Sequence, residues 1–233
     1  MEININSGVY KAIELCLIFV VLPFFIAFNP IIYISIVLIL VALMYLLVIS
    51  KRIWGEGSWR AFYQKKIKPT LSRLLCLDTN ALLKKYKVVL IRLSIMFILF
   101  AIGTSLFVYV TMPNELFHVV LNNTFLWLAI SVFYSLFSVL PQEFLYRSFF
   151  FTRYQSLVPN HAIFILLNAV IFCLAHLMFF NTLVMILTFC GGLLFAYTYH
   201  VSRSFWLVSV EHSLYGVWLY TVGMGAMLAF PSG

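Results

Sequence analysis

Apolar stretches at residues 9–28, 31–49, 88–111, 125–151, 162–180, 183–199 and 205–230 alternate with short polar breaks along the chain. A helix needs about 20 apolar residues to cross the hydrocarbon of a bilayer, and these stretches meet or approach that length. The pattern predicts an all-α fold, a polytopic transmembrane bundle of seven spans. Splitting the long, glycine-punctuated last stretch would give eight. The breaks carry turn residues, Asn29-Pro30, Met112-Pro113-Asn114 and Pro159-Asn160. No interval suits a soluble domain, so residues 1–233 are expected to form a single membrane domain with no cleavable secretory signal.

Composition agrees with this pattern: 64% of residues are hydrophobic and 9% charged, where a soluble domain carries about a quarter charged. The net charge of +8 is concentrated. Lys51, Arg52, Arg60, Lys65, Lys66, Lys68, Arg73, Lys84, Lys85 and Lys87 all fall between the second and third stretches. A short basic loop of this kind, residues 51–87, is expected on the cytoplasmic side and against anionic lipid headgroups. Trp54, Trp59, Phe62 and Tyr63 suit an interfacial segment broken at Pro69. No nucleic-acid-binding module is present, so no nucleic-acid partner is expected. With that loop inside, the N-terminus, Arg153 and Arg203 also fall on the cytoplasmic side of a multi-pass cell-membrane protein, while Glu115 and Asn122-Asn123 face outward. Cys16, Cys76, Cys173 and Cys190 form no CxxC and no metal-ligand spacing; the three in apolar spans read as small packing residues.

Candidate chemistry lies in the few ionisable side chains inside apolar sequence. Glu143 and Arg147 follow Pro141 and the uncharged stretch 125–140. At i and i+4 they share a helical face and can pair, and Pro141 favours a kink that re-aims them. His176 and the pair Glu211-His212 lie on later stretches. Each such group at membrane depth costs on the order of 2.5–3.5 kcal/mol even on lenient scales. A structural ion pair and hydrogen-bonded packing histidines are one account. A shared polar cavity is another, and it could do hydrolysis. A carboxylate and an imidazole can deprotonate a water, while a second imidazole or an arginine stabilises the oxyanion. The same groups could ligate zinc or relay protons in a transporter. Other protease chemistries lack their residues. There is no HExxH, no GxSxG and no glycine-embedded serine, and the only aspartate is Asp78, in the basic loop.

Gln142-Glu143-xxx-Arg147, Phe172-xxx-His176 and the late His212 together resemble the CPBP proteins, the group of CAAX prenyl endopeptidases and bacteriocin-processing enzymes. The resemblance covers residues 125–225. It implies a helical membrane fold and intramembrane cleavage of a membrane-associated peptide or protein by a glutamate-activated water. On that reading Glu143 and His176 activate the water, His212 stabilises or orients the oxyanion, and Arg147 positions Glu143. Gln142 and Glu211 are supporting residues; no cofactor is expected, with zinc left open. Two departures stand out. Gln142 occupies the family's first acidic position and cannot act as a base, so Glu143 takes that role or the chain is an inactive relative that binds a membrane partner. Gly216 stands where the family often has an asparagine four residues after the late histidine, so an oxyanion donor is missing there. Depth is a further tension. His176 lies about eleven residues beyond Ile165 and His212 about eight beyond Ser204, so straight helices would place them at different levels.

Overall fold

Short polar side chains start the helices. In the computed structural model, which describes residues 7–29 and 79–228 with side chains from residue 87 onward in the second stretch, Ser7, Asn123, Asn160, Asn181 and Ser204 each accept hydrogen bonds from first-turn amides. Those amides have no partner inside the helix, which is why serine and asparagine recur there. The helices that follow are α1 (Gly8–Ala27), α2 (Thr79–Thr111), α3 (Thr124–Leu157), α4 (His161–Leu174), α5 (Thr182–Ser202) and α6 (Phe205–Val222). A short helix, His118–Asn122, leads into α3.

Among the described residues five helical segments are long and apolar enough to cross a membrane: Gly8–Ala27, Lys87–Thr111, Thr124–Leu157, His161–Phe179 and Thr182–Ser202. The expected second span, Pro30, Cys76, Asp78 and the interfacial Trp54–Pro69 segment lie outside the described residues. The last apolar stretch forms α6 and then stops. Gly223 takes a left-handed φ of 104° and its N–H caps the helix. Its absent side chain admits the Glu115 backbone. Carrying Glu211 and His212, this 18-residue helix is not among the five, and the described residues after it form only a short 3₁₀ turn, Gly225–Leu228. Seven or eight spans are therefore not established by the fold.

The chain divides into two compact units, Met1–Tyr33 with Leu93–Gly233, and Ile34–Arg92. The groups discussed below all lie in the first. There α4 and α5 form the closest helix pair. A Cβ on Gly192 would come within 3.0 Å of the Ala169 Cα, so the glycine lets the two backbones approach, as small residues do between membrane helices. That packing is within one chain. The core is largely aromatic. Phe19 of α1 is fully buried against Tyr146, Phe150 and Tyr154 of α3 at ring distances of 5.5, 5.3 and 5.9 Å. At the end of α1, Glu14 accepts from Arg153 at 3.1 and 2.8 Å and from the Tyr154 hydroxyl at 2.7 Å. An acidic side chain in an apolar helix is thereby satisfied on all sides by α3.

α3 is wound unevenly. Two π segments, Tyr134–Val139 and Phe144–Phe149, bracket the α-helical turn Leu140–Glu143 that contains Pro141. Proline lacks an N–H and crowds the carbonyl four residues back, and a wider π turn just before it relieves that crowding. Such turns are found mostly at functional sites.

Candidate active site

The carboxylate at 143, not the amide at 142, turns into the bundle. Glu143 is fully buried, and its Oε1 accepts from His212 Nδ1 at 2.8 Å. A neighbouring residue on a helix is displaced by about 100°, and Gln142 accordingly bonds Ser138 of its own helix at 2.9 Å. Its Oε1 is buried without a hydrogen-bond partner among the described residues.

Arg147 is fully buried one turn further on. Its Nε lies 3.3 Å from Glu143 Oε2, close enough for an ion pair but too poorly aligned for a hydrogen bond, so both atoms lack a hydrogen-bond partner, as does Arg147 Nη2. Nη1 donates to Asn168 Oδ1 at 2.9 Å, and Asn168 Nδ2 donates to the Tyr146 carbonyl at 2.7 Å. The guanidinium also lies 4.7 Å from the Phe172 ring centre and 5.8 Å from that of Phe195. Burying a cation here is costly unless it is paired; the carboxylate, the amide and two aromatic faces together offset that cost.

His212 is held as firmly. Its ring stacks on Phe195 at 4.6 Å and meets Phe172 edge-on at 5.6 Å. A carboxylate only accepts, so Nδ1 carries the proton and Nε2 faces the Tyr134 hydroxyl at 3.3 Å. His176 stands apart from this bonded group. It follows the last turn of α4, is partly buried, and packs 4.8 Å from Phe172. Its Nδ1 bonds the Phe172 carbonyl at 2.8 Å, which draws the imidazole back one turn. That removes the expected depth mismatch, because both histidine rings now meet the same phenylalanine. Among the described residues no three His, Cys, Asp or Glu side chains gather closely enough to hold a metal. Glu211 is fully buried and within electrostatic reach of Arg147.

Residues 123–218, from the cap of α3 to the middle of α6, match the family described as Type II CAAX prenyl endopeptidase Rce1-like. This segment is an Rce1-like domain. The family resemblance carried by the three spaced motifs is borne out there, and the Rce1-like domain belongs to a class of membrane-embedded peptidases, hydrolases of the CAAX protease kind. No curated protein and no solved structure matches the chain.

The Rce1-like domain thus unites Glu143, Arg147 and His212 by direct contact and places His176 beside them across one aromatic ring. Sequence reasoning missed three contributors. Asn168 was detectable: with Phe172 and His176 it repeats every four residues on α4, a lone amide on the site's face. Phe195 carried no signal beyond apolarity. Tyr134 lies nine residues before Glu143, about half a turn out of phase in an ordinary helix. The π turn between them changes that phase.

Proposed function

We propose that the chain is an intramembrane endopeptidase that cuts a peptide bond of a membrane-associated protein or peptide with a water held by Glu143 and the site histidines. The observation that carries this reading is the enclosed Glu143–His212 pair, with one carboxylate oxygen bonded to the imidazole and the other lacking a hydrogen-bond donor among the described residues. That second oxygen keeps lone pairs for a water, and a buried acceptor is normally satisfied in this way. Arg147 compensates the charge of the carboxylate and holds it in place. His176 spends Nδ1 on a carbonyl, so Nε2 of its neutral ring bears the lone pair and can take the second water proton. As the water oxygen bonds to the carbonyl carbon, its proton passes to Glu143. Collapse of the tetrahedral carbon breaks the C–N bond, and that proton leaves with the amine. Gln142 lends its buried carbonyl oxygen as an acceptor for a substrate amide.

The purified protein in lipid nanodiscs, given a library of prenylated and unprenylated membrane peptides, is expected to release defined fragments by mass spectrometry. Glu143→Gln should lower that cleavage about 10²–10⁴-fold, the range for loss of a general base. Cleavage unchanged in the variant removes Glu143 from the mechanism. A chelator that abolished cleavage, with recovery on adding zinc, would redirect the histidines to a metal.

The bundle is read as seven spans in the cell membrane with the N-terminus and residues 51–87 in the cytoplasm. Supporting this, Lys11 donates to Ser156, Arg153 binds Glu14, and Arg203 donates to Gln155, so basic groups gather at one end. In intact cells a membrane-impermeant thiol reagent should label Asn114→Cys and not Pro159→Cys; the reverse pattern would invert the topology.

A further inference from the structure

Gly216 lies one turn beyond His212 on α6, and a Cβ built there would collide with the ring and hydroxyl of Tyr134. The phenol from α3 therefore fills the room that a side chain at 216 would take. Its ring stands edge-on to His212 at 6.2 Å and 83°, and its Oη lies 3.3 Å from Nε2. Because Nδ1 of the neutral ring donates to Glu143, Nε2 is an acceptor and the tyrosine O–H donates to it. A donor thus reaches the imidazole edge opposite the carboxylate, delivered by a different helix from the one that leaves the gap.

We propose that Tyr134 is the oxyanion donor of this site, replacing through space a side-chain donor that α6 lacks at Gly216. The inference rests on the hydrolytic reading above. When water adds to the substrate carbonyl, the C–O π pair moves onto oxygen, and the tyrosine O–H turns from His212 to that oxygen without transferring its proton. Preorganised donors of this kind act where charge develops rather than in the ground state. Loss of the hydroxyl should then fall on kcat rather than on KM.

Tyr134→Phe keeps the ring in the gap and removes only the donor. It should lower kcat about 10²–10³-fold, with KM and melting temperature close to those of the unaltered protein. A retained kcat overturns the assignment while Glu143-dependent cleavage, and with it the hydrolytic reading, stands. A second comparison guards against a purely structural effect. Gly216→Asn alone should be destabilised by collision with Tyr134. Tyr134→Ala combined with Gly216→Asn should cleave about tenfold faster than Tyr134→Ala alone, because an amide donor then replaces the phenol. No gain in the pair counts against the proposal. Absence of cleavage in the unaltered protein overturns the hydrolytic reading and the donor assignment together.

Discussion

Arg147→Met is expected to lower the stability of the folded protein by about 3–5 kcal/mol, because it leaves a buried carboxylate without its countercharge. The guanidinium and Glu143 are both fully buried, so water cannot screen the loss. Arg147 also orders Asn168 through the 2.9 Å bond to Oδ1, and that amide would lose its partner. Thermal unfolding in detergent is the measurement. A companion variant separates charge from packing: Arg147→Met with Glu143→Leu removes both ions and fills the site with apolar groups of similar size. Such exchanges are often neutral or stabilising, so the double variant should melt close to the unaltered protein yet cleave nothing. A single variant that melts normally would show that the ion pair does not hold this part of the bundle.

His212 offers the second large effect, and the two ring nitrogens can be tested separately. Asparagine places an amide N–H near the position of Nδ1, whereas glutamine places one near Nε2. His212→Asn should therefore keep a hydrogen bond to Glu143 Oε1 and much of the stability. His212→Gln should leave a buried carboxylate oxygen without its donor, at a cost of about 1–3 kcal/mol. Both should lose about 10²–10⁴-fold in kcat/KM, because neither provides an imidazole. Equal stability in the two variants would mean that the 2.8 Å contact to Glu143 does not constrain the site, and full activity in either would remove His212 from the chemistry.

Helix positions were legible because membrane spans announce themselves by length and apolarity, and because Asn123, Asn160, Asn181 and Ser204 stand where capping side chains are needed. The site was legible for a related reason. Glu143, Arg147, His176 and His212 are ionisable groups in sequence that penalises them. Their pairings were less so. Glu14 gave no sign that it would bind Arg153 and Tyr154, since residues that far apart meet only through the packing of α1 on α3. His176 reads as a partner of Glu143, but its ring folds back to the Phe172 carbonyl, a choice made by local backbone geometry. Tyr134 was hidden twice, by its phase relative to Glu143 and by the gap at Gly216, which reads as a loss until the phenol is found filling it.

The uneven winding of α3 bears on how its short acidic motif should be compared with others. A single extra residue taken up in a coil rotates everything after it, so letters that align between two chains need not look in the same direction. Here position 143 greets the imidazole although 142 is the one that convention would nominate. Whether a glutamine at the conventional place silences such a protein is thus decided by the pitch of the backbone, and losing one residue from the Tyr134–Val139 coil would swing the acid toward the lipid without altering the motif at all.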